Sequence, residues 1–337
     1  MKVLVTGCAG FIGWKVSEFL LAKGYIVLGV DNLNTAYDPK LKEWRLKQLQ
    51  SHSNFTFYRM DICHQKYMGL LFQREKIGIV VNLAAQAGVR QSVEEPWGYY
   101  KTNVTGTLNL LELCKKFGVK KFILASTSSL YGVCNRLPFR EDANTDRPLS
   151  PYAASKKAAE ELCYTYHYLY GLDIAILRYF TVYGPAGRPD MSIFRFIKWV
   201  SEEQPVIFYG DGSQSRDFTY VDDIAHGTIT ALQYLEENTS APIFEIINLG
   251  SDRPVALIDV IRQVEKLVGK RACLEHRPRH SADVPATWAD ISKARKLLNW
   301  EPRTSFEEGL RQAVVWYREN RSWAAQVDTG NGRDIIC

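Results

Sequence analysis

Apolar positions in the first half of the chain come in short runs separated by stretches of other periodicity. Lys2–Thr6, Tyr25–Asp31, Phe55–Ile62, Ile77–Ala85, Lys120–Thr127 and Asp173–Phe180 are rich in Val, Ile, Leu and Phe and short, which predicts strands. Phe11–Lys23 carries apolar residues at helical spacing and stops at Gly24. Trp97–Phe117 predicts a long helix ending at Gly118, and Pro151–Tyr170 another that starts on Ser150-Pro151. Strands alternating with helices predict an α/β fold, a doubly wound parallel sheet covered on both faces. After about residue 181 the rhythm loosens into Gly- and Pro-rich loops such as "YGPAGRPDM", "YGDGSQSRD" and "RPRHSADVP". This predicts a cofactor-type domain over 1–180, to which strands return from the second half, and a smaller, irregular α/β C-terminal lobe over 181–320. Residues 321–337 are polar without a clear period and predict a loosely held tail.

Composition narrows the function classes. A chain of 337 residues, 46% hydrophobic and 23% charged, reads as a soluble enzyme of one large domain or two. The net charge of +5 comes from 42 basic and 37 acidic residues with no long basic block, so no nucleic-acid partner is expected, while an anionic small substrate fits. Seven cysteines at 8, 63, 114, 134, 163, 273 and 337 form no CxxC pair. That predicts neither a disulfide framework nor a metal site, and a reducing compartment. No apolar run reaches the length of a membrane span, and "MKVLVTG" enters a strand at once, so a cytoplasmic protein without a membrane partner is expected.

Candidate chemistry begins at "VLVTGCAGFIGWKV", a strand, then Gly7, Gly10 and Gly13, then a helix. Glycines there allow a tight turn and let the backbone approach a pyrophosphate, and the helix N-terminus supplies N–H groups and positive dipole charge. The fold class becomes Rossmann-type. Asp31 ends the second strand, where a carboxylate accepts hydrogen bonds from ribose hydroxyls and repels a 2′-phosphate, which favours NAD over NADP. Asp61 in "RMDI" is either an adenine-side contact or a strand-end cap. "NLAAQAG" (82–88) supplies small residues, Leu83, Ala84, Ala85 and Gly88, against which a flat cofactor can lie.

Tyr152 and Lys156 in "SPYAASKKAAEEL" are four apart and share one helix face. A tyrosine with an ordinary pKa near ~10 is a poor base at neutral pH; an adjacent ammonium and a cationic nicotinamide favour its phenolate. Between the glycine loop and this helix lies "ASTSSLYG" (125–132), a buried-type strand that ends in a row of hydroxyls.

The set "TGCAGFIG", "DNLN", "NLAAQAGVR", "STSSLYG", "YAASK", "RYFTVYGP", "RDFTYVDD" and "DVPATWAD", in this order, resembles the extended short-chain dehydrogenase/reductase family, specifically its NAD-dependent nucleotide-sugar epimerases and dehydratases. The resemblance covers about residues 1–318. It implies that Tyr152 removes the proton of a sugar 4-hydroxyl, that Thr127 shares this hydroxyl, and that Lys156 also holds the nicotinamide ribose. Ser128 and Ser129 would lie beside C5 and C6 of the sugar, while Ser126 would satisfy strand-end backbone groups. Phe11, Ile12, Asn32, Ile62, Asn103, Tyr179 and Val182 complete the cofactor set that the resemblance implies. Dehydratases of this family commonly carry Asp and Glu after the threonine, and uronate decarboxylases carry Glu where Ser129 stands. Epimerisation at C4 is the activity left.

The insert "DNLNTAYDPKLKEWRLKQL", with "NLAAQAGVRQS" and "FTVYGPAGRPDM", is similar to UDP-glucuronate 4-epimerases. On that resemblance Thr181 and Arg188 approach the substrate's carboxylate and phosphates, with Arg188 alternatively paired to Asp190. Gly88, Val89 and Arg90 would lie near the substrate, Arg90 alternatively as a solvated loop charge. Arg216 and Arg279 would hold the diphosphate; Met191 and Phe194 would border the uracil, Phe194 alternatively as core. The rival readings are an epimerase for UDP-glucose or UDP-N-acetylglucosamine, a decarboxylase or dehydratase of the same fold, and a non-catalytic NAD-binding sensor. Apolar stripes with Leu108, Leu111, Leu162 and Leu169 on the two long helices, paired about a twofold axis in relatives, imply a homodimer through a four-helix bundle.

Overall fold

The computed structural model describes residues 1–238, 242–278 and 283–330. Strands β1 (Lys2–Thr6), β2 (Ile26–Asp31), β3 (Phe55–Arg59), β4 (Ile79–Asn82), β5 (Lys121–Thr127) and β6 (Asp173–Tyr179) form one parallel sheet. β7 (Thr181–Tyr183), β8 (Val206–Tyr209) and β9 (Ser215–Tyr220) lie outside it, and β10 (Phe244–Leu249) returns to it beside β6. The sheet order is β10-β6-β5-β4-β1-β2-β3. β11 (Pro254–Ala256) completes a three-stranded sheet with β9 and β7, and β12 (Leu274–Arg277) pairs with β8.

Alternation along the central strands explains their burial. Val3 and Val5 enter one apolar cluster and Leu4 the other; Ile79 and Val81 likewise face away from Val80. Helices Phe11–Ala22, Lys40–Gln50 and Val221–Glu237 cover the first face. Gln65–Arg74, Gly106–Phe117 and Pro151–Tyr170 cover the second. Strand order reverses between β1 and β4, so their carboxyl ends splay the loops apart and open a crevice.

The long helix expected over Trp97–Phe117 starts at Pro96 and contains a π-helical stretch, Tyr100–Thr105, before Gly106–Phe117. Of its stripe, Leu111 is fully buried against the sheet and Leu108 packs on the same cluster, as Leu162 does from the Pro151–Tyr170 helix. Leu169 is exposed.

The tail is not loose over its described part. Arg321–Ala324 forms a short helix, Ala324 and Val327 are fully buried, and the rings of Trp323 and Trp44 stack at 6.3 Å. Buried Arg195 donates from Nε (2.8 Å) and Nη2 (2.5 Å) to the carbonyl of Thr329, and Lys198 Nζ donates to that of Val327 at 2.6 Å. Asp328 N donates to Asp38 at 2.8 Å. The segment carries few apolar residues, but buried cations elsewhere use its carbonyls, a role that leaves no period in the sequence.

Candidate active site

A cavity of about 300 Å³ opens at the crevice. Its floor is the glycine loop. Gly7 has φ +68°, and a Cβ on it would lie 2.8 Å from Ala84 N; a Cβ on Gly13 would lie 2.1 Å from Gly7 O. Both positions exclude a side chain, so the helix Phe11–Ala22 packs directly on the turn. Gly10 caps that helix with no side-chain hydrogen bond, which leaves the N-terminus facing the cavity without a built-in anion.

Two carboxylates stand at the ends of β2 and β3. Asp31 is buried; Oδ2 accepts from Ala9 N at 3.1 Å and Oδ1 from Leu33 N at 2.8 Å, which fixes its plane. Asp61 accepts from Cys63 N at 2.8 Å and Asn32 Nδ2 at 3.1 Å. Burial works to raise its pKa, but these hydrogen bonds outweigh that and hold it below the usual carboxylate value. Asp61 is thus a strand-end cap that also lines the cavity.

β5 delivers the hydroxyl row. Thr127 Oγ1 accepts from Ser129 N at 3.1 Å and so caps the 3₁₀ turn Ser128–Tyr131; Thr127, Ser128 and Ser129 all line the cavity. Ser126 departs from its expected role. Its hydroxyl donates at 2.5 Å to Glu160, not to backbone.

The helix Pro151–Tyr170 is capped by Ser150, whose Oγ accepts from Ala153 N at 3.2 Å, and it presents Tyr152 and Lys156 to the cavity. Lys156 Nζ donates to Ala125 O at 2.8 Å, and burial draws its pKa down to about 8 against the pull of Glu160. Burial pushes the Tyr152 phenol up, while the Thr127 hydroxyl and the Arg188 guanidinium act to lower it. Beside the expected cation Lys156, the guanidinium of Arg188 therefore also acts on this phenol. Arg188 is braced from Nε and Nη2 by Asp190 (3.1 and 2.5 Å) and from Nη2 by Ala87 O (3.2 Å). The ion pair with Asp190 and the place on the cavity wall therefore coexist.

Of the remaining expected residues, Asn32, Ile62, Leu83, Ala84, Ala85 and Gly88 line the cavity, with Val89, Tyr179, Thr181, Val182, Met191 and Arg216. Three others do not. Arg90 is neither a solvated charge nor on the wall: it is buried, pairs with Asp283 and stacks 4.1 Å from the Tyr209 ring centroid. Asn103 spends its amide on Gln86 N (2.9 Å), Gln86 O (3.0 Å) and Ser155 Oγ (2.9 Å), so it braces the 82–88 loop against the Tyr152 helix. Phe194 is core, 6.0 Å from the Tyr317 ring. Arg279 lies outside the described residues. Sequence reasoning missed Tyr37, Lys42 and Asp283, all on the wall. Lys42 is buried, 2.7 Å from Asn34 Oδ1 and 3.9 Å from Asp31 Oδ1, and burial lowers its pKa. In the sequence Lys42 is one of several lysines of a polar insert, so its approach to Asp31 left no signal.

Among the described residues, the carboxylates on the wall are Asp31, Asp61 and Asp283. The first two end strands separated from β5 by β4 and β1, and the third is engaged by Arg90. Among the described residues no cluster suited to a metal ion occurs, and no helix is long and apolar enough to cross a membrane.

A glycine-floored crevice at the switch point, with an aspartate at the end of β2 and a Tyr/Lys pair beside a hydroxyl-bearing strand, defines a dinucleotide-dependent enzyme of the short-chain type. A profile of the GDP-mannose 4,6 dehydratase family matches residues 4–313, and the chain belongs to that family within the extended short-chain dehydrogenase/reductases. The chain is 59% identical over 318 residues to the UDP-glucuronate 4-epimerase of Thermodesulfobacterium geofontis, covering 94% of this chain and 96% of the relative. It superposes with a TM-score of 0.89 on the crystal structure of Bacillus cereus UDP-glucuronic acid 4-epimerase in complex with UDP-glucuronic acid and NAD. That protein is 40% identical, with 95% of this chain and 100% of the other covered. UDP-glucose 4-epimerase of Thermotoga maritima with UDP-glucose superposes at 0.86, with 34% identity and 95% and 100% coverage.

Proposed function

We propose that the chain is an NAD-dependent isomerase that inverts C4 of UDP-glucuronate to give UDP-galacturonate through a 4-keto sugar. The carrying observation is the wall itself. Tyr152, Thr127, Ser128, Ser129 and Arg188 share one cavity, and among the described residues its carboxylates are Asp31 and Asp61, at the ends of β2 and β3, and Asp283, which Arg90 engages. The similarity to UDP-glucuronate 4-epimerases supports the same sugar.

The residues present fit NAD: Gly7 and Gly13 leave backbone where a Cβ would intrude, and Asp31 offers a fixed carboxylate to a ribose. Bound NAD supplies the acceptor for the C4 hydride and returns it to the other face of the ring. Tyr152 takes the 4-hydroxyl proton, Thr127 orients that hydroxyl, and Lys156 steadies the phenolate and the nicotinamide ribose. Arg188, with Nε and Nη2 engaged by the protein, keeps Nη1 for the substrate carboxylate, where a fixed cation opposes its departure as neutral carbon dioxide. Thr181 and the serines orient the ring, Arg216 takes the diphosphate, and Met191 borders the uracil. In this reading residues 1–180 with β10 bind the cofactor and 181–320 mainly bind the sugar nucleotide. The protein works as a cytoplasmic homodimer, which the exposed Trp97, Tyr100, Tyr164, Tyr168 and Leu169 on the two long helices support.

Product analysis by NMR tests it. Incubation with UDP-glucuronate should yield UDP-galacturonate with little carbon dioxide. Release of carbon dioxide with a UDP-pentose, or turnover of UDP-glucose alone, would overturn the assignment.

A further inference from the structure

Beneath the reactive end of β5 lies a buried polar network that meets the cavity at Ser126. Glu160 stands one turn beyond Lys156 on the same helix. Arg178 on β6 grips it with both arms, Nε to Oε1 at 3.0 Å and Nη2 to Oε2 at 2.7 Å. Ser126 adds its hydroxyl. Arg178 Nη1 continues to Tyr131 Oη at 3.1 Å, and Tyr131 Oη donates to Asn248 Oδ1 on β10 at 2.6 Å. All five side chains are buried.

A buried ion pair is weak as a stability device, because well-packed apolar residues of similar volume often do as well or better. Its placement here points elsewhere. Ser126 immediately precedes Thr127, and Tyr131 ends the turn that carries Ser128 and Ser129, so the network holds both sides of the hydroxyl row. Lys156 is buried with a neutral carbonyl, Ala125 O, as its hydrogen-bond partner. A buried ammonium without a carboxylate nearby gives up its proton. Glu160 and Cys163 act on it from its own helix, where Tyr152 lies one turn before it; beyond them stand Arg178 of β6, which grips Glu160, and Cys114 of Gly106–Phe117, which acts on Cys163. Glu160 alone among these supplies negative charge at neutral pH, since burial pushes both thiols up.

We propose that Glu160 is a positioning residue of this site: gripped by Arg178 and Ser126, it sets the turn that carries the serines and holds Lys156 as an ammonium. The role rests on the reading of Lys156 as the partner of the base Tyr152. Burial alone draws Lys156 toward neutrality, and Glu160 is the group that pulls the other way.

The test follows Lys156 directly, without substrate. Protein labelled with carbon-13 at lysine Cε is titrated by NMR, the Lys156 signal being assigned by its loss in Lys156→Arg. The wild type should titrate near about 8. Glu160→Gln should titrate lower by roughly one unit, the least that a lost neighbouring charge is expected to give. Because that variant leaves Arg178 buried without its carboxylate and can fail to fold, the charge-neutral double variant Glu160→Gln/Arg178→Met decides; it too should shift downward, by less than the single variant because a like charge leaves with the carboxylate. At pH 8 a one-unit fall from about 8 takes the ammonium fraction from about a half to about a tenth, so folded Glu160→Gln should lose roughly fivefold in kcat, and the double variant somewhat less, with KM for UDP-glucuronate little changed. An unmoved Lys156 titration in the folded double variant overturns the proposal, as does a loss confined to KM. A wild type inactive on UDP-glucuronate would strike the proposed function instead and leave the titration standing.

Discussion

Tyr152 carries opposing influences within a few ångströms. Burial favours its protonated phenol, while Thr127 and Arg188 favour the phenolate. In the proposed mechanism the positive charge of a bound nicotinamide would add to the pull of Thr127 and Arg188. Removing only the hydroxyl isolates its role: Tyr152→Phe should keep the fold and bound NAD but lose on the order of a hundredfold in turnover or more, the usual contribution of a general base. Steady-state rates on UDP-glucuronate check this; near-normal turnover would pass the proton to Thr127 or water. At this scale the sequence disclosed what sits in short, rigid spacing. Gly7, Gly10 and Gly13, Asp31, and the Tyr152/Lys156 pair all line the cavity, because a turn and a helix fix their geometry locally. Phe194 took the core alternative, while Arg90 and Asn103 lie off the wall because their partners are distant in the chain. Arg90 answers to Asp283, 193 residues away, and no local pattern reports that.

Elements followed the apolar pattern where burial on both faces wrote it plainly. Lys2–Thr6 and Pro151–Tyr170 appear as expected, and the other strands differ mainly by fraying at their ends. The helix Lys40–Gln50 was hidden in a polar insert, since its buried positions include Lys42 and Arg45 as well as leucines. Arg45 is fully buried because its guanidinium donates to Ala186 O, Gly187 O and Tyr37, contacts that hydropathy cannot foresee. The tail escaped notice for the same reason. A chain ended after Asn320 would lose Val327 and Trp323 and take acceptors from Arg195 and Lys198. Each such buried charged hydrogen bond is worth about 1–3 kcal/mol, and one kcal/mol moves the melting temperature of a large domain by about 2–4 °C. The truncated protein should therefore melt on the order of 10 °C lower by circular dichroism. An unchanged melting curve would mean that these contacts add nothing net.

At the scale of the whole molecule, the two long helices present large aromatic side chains to solvent, with Tyr164 and Tyr168 stacked on one another at 6.5 Å. Trp97 and Tyr168 are 80% and 76% exposed, an unusual state for residues of that size. Light scattering at micromolar concentration should give twice the chain mass, and a Trp97→Glu/Tyr168→Glu variant should give the monomer mass. A monomeric wild type would leave these side chains as plain surface.

The return of β10 to the sheet also sets a timetable for biosynthesis. A ribosome that has released residues 1–180 has made six of the seven sheet strands, yet β6 still shows an open edge, because its neighbour Phe244–Leu249 is still unmade. Open edges of apolar strands recruit other chains. The nascent protein must pass through this state with β6 unguarded until residue 249 emerges, so the 64 or so residues that separate the two strands, 180–243, are a window in which a holding chaperone has a defined target.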